Sequence, residues 1–248
     1  MHSLAITRLR GKTRRVVRIL EKTLGTPRQP PRLPPPLDML IATVLSQNTN
    51  DKNSHRAYTN LRSAFPTWER VANAPVGKIR QAIRIGGMAN QKSVRIKSTL
   101  KAISRRFGSY SLAGLRSLTH ESVLEELTSI NGVGVKTAAC VLLFSLGRDV
   151  FPVDTHVHRL CTRLGLARGS RTPETTFDVM RPLVPKGKGY SFHTNLIRFG
   201  RKVCRSANPA CDICPLYGEC EYPLKKKEPR LRRMPSRATH DFMLLDNV

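Results

Sequence analysis

The sequence predicts an all-α protein. Three observations lead there: apolar residues recur at three- and four-residue intervals through most of the chain, alternating runs are few, and proline- or glycine-containing breaks separate the periodic stretches. The first stretch places Val16, Val17, Ile19, Leu20 and Leu24 on one helical face. The proline-rich residues 27–36 cannot continue a helix, so they end it and form a linker. Periodic stretches follow at residues 37–44, 57–65, 76–85, 94–107, 122–130, 136–146, 157–164, 175–183 and 192–203. Around residues 147–154 the chain breaks again, with Pro152 favouring an extended passage. The two breaks predict two lobes, one over residues 37–148 and one combining residues 1–36 with 149–222. Residues 223–248 are basic, with proline and little periodicity, and are expected to form a mobile tail. No internal repeat of fixed period is visible, and no run of 18 or more apolar residues predicts a membrane span.

Six cysteines divide into two groups. Cys140 and Cys161 lie in apolar helical pattern and read as small buried hydrophobes. Cys204, Cys211, Cys214 and Cys220 crowd into a short polar and proline-containing stretch with gaps of six, two and five residues, the pattern of a metal site. A disulfide framework suits small secreted domains, whereas this chain is long enough to bury a core and opens without an apolar signal segment. Structural zinc usually pairs two short knuckles, and only one CxxC is present, Cys211 to Cys214. Four thiolates with uneven gaps suit a [4Fe–4S] cube, which needs one sulfur at each iron corner. Spacing alone puts the iron–sulfur reading ahead of zinc and leaves both open.

Charge narrows the partner. With 43 Lys and Arg against 17 Asp and Glu, the formal charge of +26 favours a polyanion, and nucleic acid is the expected one. Basic residues gather at both ends: Arg8, Arg10, Lys12, Arg14, Arg15 and Arg18, then Lys225, Lys226, Lys227, Arg230, Arg232, Arg233 and Arg237. The arginine-rich opening also has the look of an organellar transit peptide. Its helical apolar face reads instead as part of the fold, and with no export signal the cytosol or nucleoid is the expected compartment.

The chemistry concentrates in residues 127–140. An apolar helix ends near Ile130, Gly132 and Gly134 bracket a tight turn, and a second helix begins beside Lys136. Glycines let a backbone approach phosphate closely, and the N–H groups opening the second helix can bind it. An ordinary turn between packed helices would look the same, and the basic excess tilts the reading toward DNA. Lys136 sits in the first turn of that helix, where the positive dipole end disfavours an ammonium. Eighteen residues on, Asp154 precedes another helix. It reads either as an N-cap or as the acid partner of a lysine nucleophile in Schiff-base chemistry. His156 and His158 lack a third ligand nearby, so hydrogen bonding to backbone or phosphate is expected of them.

Together the run from Ile130 to Thr137, the Val153-Asp154-Thr155-His156 element and the cysteine spacing resemble the endonuclease III family of base-excision repair DNA glycosylases, in the family's order over residues 37–222. The resemblance implies a helix–hairpin–helix glycosylase fold: a six-helix barrel lobe carrying the hairpin, and a helical lobe holding a [4Fe–4S] cluster on Cys204, Cys211, Cys214 and Cys220. It implies Lys136 as the nucleophile at the deoxyribose C1′ of an extruded nucleotide, Asp154 as its acid, and strand nicking by β-elimination. Extrusion is needed because a stacked nucleotide hides that carbon. Gly132, Val133, Gly134 and His156 would contact the DNA backbone, while Gln47, Asn48 and Met88 would enter the duplex.

Two of these positions depart from the family pattern. Asn48 stands for an intercalating glutamine and Met88 for a wedge leucine; neighbouring Gln47 could share the plugging task, and flexible Met88 should still wedge. Asn131 and Val135 replace a proline and a basic residue common in relatives. The implied enzyme is a monomer acting on double-stranded DNA that carries an oxidised pyrimidine or an abasic site. A mismatch-specific glycosylase and a non-catalytic iron–sulfur DNA-binding protein are the alternatives. Lys136 argues against the first, because monofunctional relatives usually lack a lysine there, and the pairing of Lys136 with Asp154 argues against the second.

Overall fold

The computed structural model describes residues 2–225; Met1 and residues 226–248, which hold most of the expected basic tail, lie outside the described residues. Every regular element among the described residues is helical, and none is a strand. The chain divides into two compact units, one of residues 30–148 and one of residues 2–29 with 149–225.

In the first unit, α2 (Pro36–Leu45) and α8 (Val135–Phe144) pack on each other. Pro36 opens α2, where its fixed φ suits a helix and its missing N–H costs nothing. Every residue of α2 except Asp38 is buried, as is all of α8 from Thr137 onward. Around them run α3 (Asp51–Ala64), α4 (Trp68–Asn73), α5 (Val76–Ala82), a 3-10 turn (Arg84–Gly86), α6 (Ala89–Phe107), a second 3-10 turn (Ala113–Ser117) and α7 (His120–Thr128). Asp38 is the polar exception. Its carboxylate accepts from Tyr58 Oη at 2.5 Å and Trp68 Nε1 at 3.2 Å, and burial, with help from that carboxylate, pushes the Tyr58 phenol above its ordinary range.

Several elements differ in extent from the periodic reading. Helix α3 begins at Asp51, capped by the Asn50 side chain on Asn53 N, because its first turn is polar and carries no apolar period. Helix α4 is six residues long, too short to show a period, and is announced only by its Thr67 cap on Arg70 N. The single stretch read at 76–85 is a helix followed by a 3-10 turn.

The second unit contains α1 (His2–Leu24), α9 (Thr155–Arg163), α10 (Pro173–Met180), α11 (Gly189–Lys202) and two short 3-10 turns, Cys211–Ile213 and Tyr217–Glu219. Helix α11 packs on both α1 and α9. Glu21 of α1 accepts from Lys188 Nζ at 3.0 Å and Ser191 Oγ at 2.8 Å, and Asn195 Nδ2 donates to Gly25 O at 2.9 Å. Asp149 accepts from the backbone N–H groups of Gly187, just ahead of α11, and Gly189, its first residue. A Cβ at Gly189 would fall 2.4 Å from Val150 O, so only glycine fits there. Phe151 stacks on Phe192 with centroids 5.0 Å apart.

Part of the N-terminal basic cluster is occupied inside this unit. Lys12 Nζ meets Glu221 Oε1 at 2.7 Å, Arg15 grips both oxygens of Glu219 at 2.7 and 3.1 Å, and Arg10 donates to Pro182 O. Arg168 adds a second cation to Glu221. Lys12 and Arg15 therefore tie α1 to the segment around Cys220, and Arg10 ties it to the chain just after α10, all within one unit. Hydrogen bonds from Arg168 and then Lys12 hold the Glu221 carboxyl down to about 2. A carboxyl depressed in the folded state stabilises the fold above its ordinary value of 4.5 and loses that contribution as pH falls through about 2. Glu221→Gln is expected to melt about 2–4 °C below the parent at neutral pH, since these pairs are solvent-screened. The gap should close as pH falls from 4.5 toward 2, followed by calorimetry; a gap that ignores pH would assign the loss to packing.

Candidate active site and cysteine cavity

Helix α7 ends at Thr128, and the chain reverses through Ser129 to Gly134 before α8 begins. Val133 is buried and its N–H closes on Ile130 O at 3.0 Å, which pins the turn to the core. Gly132 has φ +87, which favours glycine, and a Cβ there would press on the Arg95 side chain, 3.3 Å from its Cγ. Gly134 is the N-cap, and a Cβ on it would meet nothing within 4 Å. The opening N–H groups of α8 have no acceptor within the helix, and open space at Gly134 leaves this end approachable by an anion. Lys136 is the second residue of α8 and is half-buried.

Three further predicted positions gather beside this hairpin in the same unit. Asn48, at φ +52, places its Nδ2 3.3 Å from Met88 Sδ, and Met88 itself sits at φ +49 as the N-cap of α6 with its side chain exposed. Arg95 donates from Nη1 to Gln47 Oε1 at 2.7 Å while its methylenes underlie Gly132. Gln47 and the hairpin are thus joined through a residue that sequence reasoning passed over. Its signal was there: Arg95 stands seven residues after Met88, on the same helical face, in a helix with no acidic residue.

In the second unit, Asp154 is the N-cap of α9 and accepts from Val157 N at 2.8 Å. His156 Nδ1 lies 2.9 Å from Arg159 Nη2, so Nδ1 accepts and the ring proton is assigned to Nε2. Arg159 also donates to Gly200 O and Cys204 O. His158 Nδ1 meets Thr176 Oγ1 at 2.7 Å. Lys136 and Asp154 belong to different units, and each occupies the start of a helix.

Cys204, Cys211, Cys214 and Cys220 all line one cavity of the second unit. Cys204 follows α11, and the two 3-10 turns reverse the chain so that Cys211, Cys214 and Cys220 return to the same space. Arg163 Nη1 donates to Cys204 Sγ at 3.3 Å and its guanidinium covers Tyr222, while Lys225 Nζ lies over Tyr217. Burial, ahead of the neighbouring cysteines, pushes the Cys214 thiol up to about 12, and burial likewise raises Cys220. Such thiols keep their protons unless a cation replaces them, which is the donor set a thiophilic metal group requires. Among the described residues no three His, Cys, Asp or Glu are gathered tightly enough for a single metal ion. Cys140 and Cys161 are buried elsewhere, consistent with packing roles.

Capping and chemistry at Asp154 are separable by substitution. Asp154→Ala should cost about 1 kcal/mol in urea unfolding, whereas Asp154→Asn, an equally good cap, should cost only a few tenths.

Residues 41–186 match the model of the HhH-GPD superfamily of base excision DNA repair proteins. A protein of Arabidopsis thaliana assigned as a DNA glycosylase is 38% identical over 192 residues, covering 73% of this chain and 65% of its own length. Endonuclease III of Thermotoga maritima is 33% identical over 202 residues, covering 82% of this chain and 90% of that protein. The chain therefore spans just under two thirds of the plant protein and most of the bacterial one. Among solved structures, a non-covalent endonuclease III–DNA complex superposes with a TM-score of 0.73 at 25% identity, over 86% of this chain and 95% of that one.

Proposed function

Because this chain belongs to the HhH-GPD superfamily, the DNA glycosylases of base excision repair, we propose that it is a bifunctional enzyme that removes oxidised pyrimidines from duplex DNA and then nicks the strand. The observation that carries this reading is the place of Lys136, two residues past the Gly134 cap on a helix end open to phosphate. The strand would be gripped and attacked within one helical turn. The endonuclease III neighbour, solved with DNA, and the +26 charge of this chain support duplex DNA as the partner.

In this reading the hairpin N–H groups hold a phosphate beside the lesion, and Gln47, Asn48 and Met88 occupy the stack as the damaged nucleotide swings out. The Lys136 amine attacks C1′, the C1′–N bond breaks and the base departs. Asp154 stabilises the positive charge growing on the sugar and takes up the proton released by the amine. The C1′–O4′ bond then breaks, opening the sugar ring to leave a Schiff base between Lys136 and C1′; this makes the C2′ proton acidic, and its loss expels the 3′ phosphate. His156, with its proton on Nε2, would donate to a backbone phosphate. A [4Fe–4S] cluster would be held by Cys204, Cys211, Cys214 and Cys220, which line one cavity and could give one thiolate to each iron. Excision and elimination transfer no electrons, so the cluster would supply architecture to the Cys204–Cys220 segment.

Incubation with duplexes carrying thymine glycol, an abasic site or a G·T mismatch, with and without borohydride, tests the proposal. Cleavage at thymine glycol with a trapped adduct is expected. Release from G·T without trapping would instead assign a mismatch glycosylase, and binding without reaction a non-catalytic protein. Lys136→Ala should abolish trapping and keep most DNA affinity. Asp154→Asn should cut turnover at least 100-fold, in the range of general acid–base catalysis, with little change in affinity. Cys211→Ser should remove the visible absorbance of the purified protein and lower its melting temperature; an unchanged spectrum would exclude Cys211 as a ligand.

A further inference from the structure

Lys92 is the only Lys, Arg, Asp or Glu among the described residues that is buried, at 4% exposure. It lies on the inward stripe of α6 with Ile96, Leu100 and Ile103, where an aliphatic residue would be the ordinary choice. Its Nζ donates to two backbone carbonyls, Leu45 O and Gly86 O, each at 2.8 Å. Burial alone pulls the amine down to about 8, with no carboxylate contributing. An ammonium placed this way gives up its hydration, and two neutral acceptors offset that loss only in part.

The two carbonyls belong to two loops. Leu45 ends α2 three residues before Asn48, and Gly86 ends the 3-10 turn two residues before Met88. Asn48 and Met88 are two of the three non-glycine residues at positive φ among those described, and their side chains touch. Such conformations persist only where the surroundings over-determine them. Lys92 supplies that at several points: its backbone N–H bonds to Met88 O at 3.0 Å while its side chain holds Gly86 O and reaches across to Leu45 O. From the other side Gly86 is pressed against Ala57, 3.0 Å from where its Cβ would be.

We propose that Lys92 is a positioning residue that staples the two loops together, so that Asn48 and Met88 meet the duplex as one preformed wedge. This rests on the reading that those two side chains enter DNA, and it concerns their preorganisation. A wedge assembled before contact does not charge the ordering of two loops to each binding event, so the staple acts on recognition of a gap in the stack more than on contact with intact duplex.

The test reads the wedge without chemistry. The full chain is titrated onto a duplex with 2-aminopurine opposite a tetrahydrofuran abasic analogue, which cannot be cleaved, and fluorescence reports unstacking. The parent protein should raise the signal severalfold. Lys92→Met should lose most of that rise, and its affinity for the tetrahydrofuran duplex should fall about 10-fold more than for undamaged duplex, one 1.4 kcal/mol step. In a double-mutant cycle, Lys92→Met combined with Met88→Ala should be no worse than Met88→Ala alone, whereas general destabilisation would add. If Lys92→Met does not fold, the cycle is run on Lys92→Gln, whose shorter two-proton donor weakens the staple without emptying the site. Full fluorescence in a folded Lys92 variant, or additive losses in the cycle, overturns the inference while leaving the glycosylase reading intact. No signal from the parent protein overturns the wedge and this inference with it, and trapping at Lys136 is judged separately.

Discussion

The burial of α8 against α2 is the constraint on which the central unit depends. Each fully buried aliphatic side chain contributes about 1.5–3 kcal/mol, and these two helices bury nearly every residue they have. Both helix ends given a role in the proposed function hang from this pair. The start of α8 carries the Gly134 cap and Lys136, so the backbone that presents the nucleophile proposed here is anchored to the core. The end of α2 delivers the loop with Gln47 and Asn48, and its last carbonyl is one that Lys92 holds. Close packing thus transmits the rigidity of the core to the surface proposed to meet DNA.

The second unit solves a different problem, because its cysteine segment has almost no regular structure to hold it. Short 3-10 turns, two cations over tyrosines and the Glu219 and Glu221 ion pairs do that work. In a chain with 17 acidic residues against 43 basic ones, these two flank Cys220, and both take cations from α1. Glu221 also fills the space above Gly165, where any Cβ would collide with its carboxylate. Lys12 and Arg15 therefore serve the fold rather than a polyanion, and the charge at the N-terminus overstates what is offered to DNA.

The all-helical fold was legible because apolar periodicity survives in long amphipathic helices and proline marks the breaks. The hairpin and the four cysteines were legible because glycine pairs and thiol spacing are local in sequence. Helix α4 and the first turn of α3 were not, since six residues, or a polar turn, leave no period to read; only their caps announce them. Asp154 left two readings, cap or acid, and the structure shows the cap in place. Lys92 and Arg95 were missed for a tertiary reason. Each acts on carbonyls or side chains about 6 to 48 residues away, and nothing in the neighbouring sequence says that a lysine on an apolar stripe will find two orphaned carbonyls.

The two departures from the family pattern at the proposed wedge are better understood together than singly. Taken alone, Asn48 is a short amide where a longer one would plug the stack, and Met88 is a flexible chain where a stiffer leucine would wedge. In the structure the amide of Asn48 points at the Met88 sulfur, 3.3 Å away. A leucine offers no acceptor there, whereas a thioether is a weak one, and its polarisable surface also suits contact with bases. Shortening one side chain and introducing sulfur in the other thus creates a contact that neither change provides by itself. That contact lies between the loops Lys92 holds by their backbones, so the proposed wedge is secured twice, once at the buried carbonyls and once at the exposed tips.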